Sequence, residues 1–148
     1  MRKQALAPDL RCLPVSDPEA AASQRILLAE DDTELRALIA VELRQDGYEV
    51  IEAADGAELL DWIESSIRAN RRDYFAAIVS DIRMPGLSGL DVLAALHCAY
   101  WVTPVILITA FGDPETHAEA RELGAVAVFD KPFDLAELRR ALSAVVSR

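Results

Sequence analysis

The chain has 148 residues, a length that suits one domain with a substantial core. Hydrophobic residues make up 52% and charged residues 27%, a globular balance that excludes a wholly disordered chain. Fifteen Lys and Arg against twenty-five Asp and Glu leave a net charge of -10, which argues against direct binding of nucleic acid.

Residues 1–24 carry Pro8, Pro14 and Pro18 and no sustained periodicity, and are expected to form a flexible N-terminal tail. Asp9, Arg11 and the prolines interrupt what a secretory signal needs as an apolar core. Cys12 and Cys98 have no metal-ligand spacing and read as free thiols in a reducing compartment. The apolar runs fall far short of the ~20 residues that cross a bilayer, so a cytoplasmic protein with no membrane contact is expected.

From Arg25 onward, strand and helix patterns alternate. Ile26-Leu27-Leu28-Ala29 is the first strand, and Leu35, Leu38, Ile39 and Leu43 mark one face of the first helix. Gly47 follows as its C-terminal stop, and Tyr48 to Glu52 reads as a second strand. Leu59, Leu60, Ile63 and Ile67 form the next stripe, which runs into the basic connection at Arg71-Arg72. Ala76 to Ser80 is the third strand, Leu90, Leu93 and Leu96 mark the third helix, and Val105 to Ile108 is the fourth strand.

Asp113-Pro114-Glu115 is a strong helix start: a capping side chain, proline in the first turn, then an acid. That fourth helix has a thin apolar face of Ala118, Ala120 and Leu123, ended by Gly124. Val126 to Asp130 is the fifth strand. Asp134 and Glu137 resemble a capping box ahead of the last helix. Four of the strands are continuously apolar, as parallel strands covered on both faces must be. A three-layer α/β/α sandwich is expected over residues 25–148, with no length left for a second domain.

Ligand sites in such sheets lie outside the carboxyl ends of the strands. There the sequence places Glu30-Asp31-Asp32, then Asp81, Thr109 and Lys131. Crowded carboxylates raise one another's pKa unless a cation sits among them, and hard oxygen ligands with room for water suit Mg²⁺ better than Zn²⁺. An aspartate can attack phosphorus to form an acyl phosphate, provided that charge on the transferring oxygens is neutralised. A cation, the Lys131 ammonium and the Thr109 hydroxyl would do so. Taken singly, each residue also has an ordinary structural use as a cap, a turn residue or a surface charge.

Together the segments Ile26-Leu27-Leu28-Ala29-Glu30-Asp31-Asp32, Ser80-Asp81-Ile82-Arg83-Met84-Pro85-Gly86-Leu87-Ser88-Gly89, Ile108-Thr109-Ala110 and Asp130-Lys131-Pro132-Phe133 carry a family likeness. In order and spacing, the chain from Arg25 onward resembles the receiver domain of two-component response regulators. The resemblance implies a flavodoxin-like fold with sheet order 2-1-3-4-5. It implies that Asp81 accepts a phosphoryl group from a sensor histidine kinase or phosphotransfer protein, and that Glu30, Asp31, Asp81 and the backbone carbonyl of Arg83 hold Mg²⁺.

By the same likeness, Thr109 and Lys131 engage the phosphoryl group, and the Lys131–Pro132 bond is cis. Asp32 falls beyond the matched acidic pair and reads as a helix-start residue. The implied protein is a signalling module that assists only its own phosphorylation and dephosphorylation. It would switch the surface of helix 4, strand 5 and helix 5 for a downstream target protein, or pass the phosphoryl group on as a relay. Homodimerisation stays open.

One position departs from the family pattern. Three residues before the lysine, receivers commonly carry an aromatic side chain, and here Val128 stands. Phe129 is adjacent but belongs to the opposite face of its strand. Arg83 and Phe111, each two positions beyond a site residue, border the phosphoryl site in the family.

Other classes fit less well. A phosphotransferase of the haloacid-dehalogenase type needs a second Asp where Arg83 stands. A flavodoxin-like cofactor carrier needs a hydroxyl- and glycine-rich loop where Glu30-Asp31-Asp32 stands. A receiver serving only as an unphosphorylated scaffold has no need of the complete acidic, Asp, Thr and Lys set. His97 and His117 read as exposed helix positions, and Trp62 and Trp101 as partly buried packing residues.

Overall fold

The structure is a computed structural model that describes residues 24–99, 101–110 and 112–146. The expected tail (apart from Gln24), Cys12 and Phe111 lie outside the described residues. Five strands and five helices alternate: β1 (Arg25–Ala29), α1 (Thr33–Gln45), β2 (Glu49–Ala53), α2 (Gly56–Arg68), β3 (Ala77–Asp81), α3 (Gly89–Cys98), β4 (Val105–Thr109), α4 (Pro114–Glu122), β5 (Ala127–Asp130) and α5 (Leu135–Val145). All neighbouring strands pair in parallel, in the order β2-β1-β3-β4-β5. The expected sheet is the one found. No helix among the described residues is long and apolar enough to cross a membrane.

Strand alternation divides the core in two. Leu27, Ala29, Ile78 and Leu107 point to the face covered by Leu59 and Ile63 of α2, Val92, Leu93 and Leu96 of α3 and Ala120 of α4. Ile26, Leu28, Val79, Ile106 and Ile108 point to the other face, against Ile39 and Leu43 of α1 and Leu138 and Leu142 of α5. Val128 belongs to the first layer and Phe129 to the second, where its ring lies 6.3 Å from that of Phe133. Alternation along β5 therefore separates the two as expected. Trp62 meets Phe75 edge-on, its ring centroid 6.1 Å away, and Trp101 lies under the Arg72 guanidinium.

Each helix begins at a capping side chain: Asp32, Asp55, Ser88, Asp113 and Asp134. Asp134 caps α5 through the Ala136 N–H at 2.9 Å, and the reciprocal capping box forms instead at α3, between Ser88 and Asp91. Asp46 closes α1, and Gly47 follows at φ 95°, the left-handed geometry that favours glycine. Leu38 departs from the expected apolar stripe and is 50% exposed, because α1 turns Ile39, Ala40 and Leu43 to the core.

Gly89 marks a close approach. A Cβ there would stand 2.5 Å from the Asp81 carbonyl oxygen and 3.1 Å from Ile82 Cα, so α3 can start directly beside the end of β3 only if residue 89 has no side chain. Both obstacles are backbone. Gly89→Ala is therefore expected to destabilise the fold by about 1–3 kcal/mol, the usual range for overpacking, as read from the urea midpoint.

Candidate functional site

Register brings the candidate residues together. Ala29 pairs with Ser80, Asp81 with Ile108 and Thr109 with Asp130, so β1, β3, β4 and β5 end at one level. The chain order reverses between β1 and β3, and that switch point is where α/β sheets leave a crevice. Glu30 follows β1, Asp81 ends β3, Thr109 ends β4 and Lys131 follows β5. Glu30, Asp81 and Thr109 are buried, with Asp81 only 3% exposed.

Lys131 Nζ lies 2.8 Å from Asp81 Oδ2 and 3.0 Å from Glu30 Oε1. Asp81 Oδ1 accepts from the Arg83 N–H at 3.1 Å, and Glu30 Oε2 accepts from the Asp32 N–H at 3.0 Å. Lys131 N donates to the Thr109 carbonyl at 2.7 Å, which joins the ends of β4 and β5 beneath the ion pairs. Arg36 reaches from α1 to donate to the Glu30 carbonyl at 2.7 Å. No sequence signal pointed to that brace. The Lys131–Pro132 peptide bond is cis.

One carboxylate oxygen from each of Glu30, Asp31 and Asp81 lies within 4.8 Å of the others. The Asp32 carboxylate does not join this group: it caps α1, accepting from Glu34 N and Leu35 N, while the Asp32 backbone N–H donates to Glu30 Oε2. Beside the acids opens a cavity of about 470 Å³, lined by Asp31, Thr109, Leu90, Thr116 and the loop from Ile82 to Pro85. Arg83 is exposed at its wall. Asp31 and Thr109 thus line this cavity, and Asp31 lies close to Glu30 and Asp81, which Lys131 joins.

Burial lifts the Glu30 carboxyl from its ordinary 4.5 to about 7. Asp81's charge adds to that rise, against the lowering by the Asp32 N–H and Lys131. Burial works against the Lys131 ammonium, but its hydrogen bond to Asp81 and its ion pair with Glu30 outweigh it and hold the group above its ordinary value. Lys131 therefore stays charged, facing two carboxyls that one ammonium does not fully balance. A donor set made only of hard oxygens, with open space beside it, fits a small divalent cation such as Mg²⁺.

The Glu30 shift has a measurable sign. A carboxyl raised in the folded state binds more protons there than in the unfolded chain between pH 4.5 and about 7. Folding stability must then fall as pH rises through that window and level off above it, by roughly 3 kcal/mol at most. The difference between wild-type and Glu30→Gln urea titrations isolates this contribution. Millimolar Mg²⁺ is expected to flatten the slope and raise stability, because the ion favours the deprotonated, folded form.

The two histidines separate. His97 is exposed at the end of α3, as expected. His117 corrects the expectation: its side chain is only 18% exposed, and Nε2 lies 2.9 Å from Asp130 Oδ1. Cys98 is exposed and free.

Fold and site together define a flavodoxin-like α/β domain with an acidic pocket over its switch point. The family model of the response regulator receiver domain matches residues 26–143, and the chain belongs to that family. The transcriptional regulatory protein PdtaR of Mycobacterium tuberculosis is 33% identical over 136 residues, covering 91% of this chain and 62% of that protein. Sporulation initiation phosphotransferase F of Bacillus subtilis is 31% identical over 120 residues, covering 81% of this chain and 91% of that protein.

Among solved structures, the chemotaxis protein CheY4 of Vibrio cholerae superposes with a TM-score of 0.70 at 28% identity, covering 84% of this chain and 99% of that one. A Francisella response regulator receiver domain gives a TM-score of 0.73 at 28% identity, covering 83% and 96%. The chain spans less than two thirds of the length of PdtaR and half that of the Escherichia coli regulator CpxR. Receiver domains are signalling modules that interact with histidine kinases or phosphotransfer proteins, and they bind Mg²⁺ at an acidic pocket.

Proposed function

We propose that residues 25–148 form a phosphoacceptor receiver in which Asp81 takes a phosphoryl group from a histidine kinase or phosphotransfer protein. The observation that carries this is the placement of Asp81: buried at the switch point, 2.8 Å from Lys131 and beside the Glu30–Asp31 acids. An Asp81 oxygen attacks the phosphorus of a phosphohistidine. The O–P bond forms as the P–N bond breaks, and the imidazole nitrogen keeps the electron pair and then takes a proton. Later, water attacks the same phosphorus, restoring the carboxylate and releasing inorganic phosphate.

Each neighbour has a task in that transfer. Lys131 shifts its hydrogen bond from the carboxylate to a phosphoryl oxygen while remaining tied to Glu30. The Thr109 hydroxyl meets another oxygen. The Arg83 N–H keeps the carboxylate oriented at the pocket. Glu30, Asp31, Asp81 and the Arg83 carbonyl would hold Mg²⁺, which supplies charge neutralisation at the transferring oxygens. The chain would thus assist its own phosphorylation and dephosphorylation and have no other substrate.

The phosphorylated form would act in the cytoplasm by presenting α4, β5 and α5 to a downstream protein. Intact-mass spectrometry tests the proposal. With acetyl phosphate and Mg²⁺ the protein is expected to gain one phosphoryl group that hydroxylamine removes. No gain, or a gain that resists hydroxylamine, rules out an acyl phosphate.

A further inference from the structure

Helix α4 is held by little apolar packing. Ala120 is its one fully buried side chain, while Ala118 is exposed and Leu123 only partly buried. A polar contact supplies what packing does not. His117 Nε2 lies 2.9 Å from Asp130 Oδ1, a hydrogen bond that Nε2 makes as donor, since a carboxylate oxygen accepts. Asp130 ends β5 in register with Thr109 of β4 and immediately precedes Lys131.

Gly112 completes the arrangement. A Cβ at that position would run into Asp130 Oδ1 and would stand 2.7 Å from His117 Nε2. The loop just beyond Thr109, the first half of α4 and the end of β5 therefore meet around a single hydrogen bond.

We propose that His117 and Asp130 are positioning residues: their contact fixes the β4–α4 loop and α4 against β5, and a displacement of Thr109 reaches α4 through it. The absence of a side chain at residue 112 is what lets the two groups meet. The holding role stands on the geometry alone. The relaying role rests on Asp81 being the phosphoacceptor.

Amide hydrogen exchange on four proteins tests this. His117→Ala removes the donor, and His117→Gln retains an N–H that can reach the carboxylate. Gly112→Ala leaves both partners present but wedges a methyl group between them, displacing only the far ends of two side chains. In His117→Ala and Gly112→Ala, amides of α4 and its preceding loop should exchange about tenfold faster, with β1, β3 and α5 unchanged. His117→Gln should recover most of the protection, which a purely space-filling role would not explain.

Beryllofluoride with Mg²⁺ mimics the phosphoryl group. It should loosen the same amides in the wild type and add little in His117→Ala. Equal α4 exchange in all four proteins overturns the proposal, as does a loosening of α4 by beryllofluoride that is the same with and without His117. If beryllofluoride protects no amide around Asp81 while His117→Ala still loosens α4, the phosphoacceptor assignment fails and the positioning contact stands; if it protects the Asp81 pocket but leaves α4 unchanged, the relay is overturned.

Discussion

Asp81→Asn gains no phosphoryl group from acetyl phosphate and Mg²⁺, while the wild type gains one. The amide has nearly the shape of the carboxylate and can still accept the Arg83 N–H, so the pocket should survive the exchange. What is lost is the nucleophile, since a neutral amide oxygen neither attacks phosphorus nor leaves a hydrolysable acyl phosphate. The nearest other carboxylates cannot substitute. Glu30 Oε2 and Oε1 are held by the Asp32 N–H and Lys131, and Asp31 is exposed at the pocket's rim. Intact mass before and after treatment reads the outcome, and residual labelling of Asp81→Asn would move the acceptor elsewhere.

Lys131→Met has the second-largest expected effect, a slowing of labelling by roughly a hundredfold, the scale seen when one positioned charge-stabilising donor is removed. Methionine keeps an unbranched stem of similar length, so packing beside the cis peptide changes little while the ammonium disappears. Two consequences then separate. Asp81 and Glu30 face each other without the cation that now lies 2.8 and 3.0 Å from them, and stability in Mg²⁺-free buffer falls. Added Mg²⁺ should restore that stability but not the rate, because an ion held by the acids would not supply the ammonium's own hydrogen bond to the transferring group. Initial rates of mass gain and urea midpoints, each with and without Mg²⁺, measure both. A variant as fast as the wild type would remove Lys131 from the chemistry.

Most of this fold is written in short-range pattern. Continuous runs such as Val105 to Ile108 suit strands covered on both faces, as in a parallel sheet between helix layers, and β4 is indeed buried along its whole length. Asp32 and Asp113 announced the helix starts that they cap. What escaped was angular detail. Leu38 and Ile39 lie about 100° apart around α1, and a stripe of leucines does not show which edge leaves the core. Likewise, Asp134 followed by Glu137 satisfies the capping-box spacing, yet the Asp134 side chain bonds Ala136 N.

The site was legible because its chemistry sits at strand ends, and register in a parallel sheet brings strand ends together. Glu30, Asp81, Thr109 and Lys131 needed no knowledge of side-chain angles to be placed in one crevice. The contacts that stiffen the crevice were not legible. The Arg36 brace on the Glu30 carbonyl and the His117–Asp130 bond depend on how helices lie over the sheet. A histidine early in α4 and an aspartate thirteen residues later carry no joint signal in the sequence.

Borohydride reduction of the acetyl phosphate-treated protein, followed by peptide mass mapping, tests phosphoryl acceptance most directly. Hydride cleaves an aspartyl phosphate and leaves homoserine at the residue that carried it. Homoserine at position 81 alone is the expected result. Homoserine at Asp31 or any other aspartate, or none in protein that has gained a phosphoryl group, contradicts the assignment of Asp81.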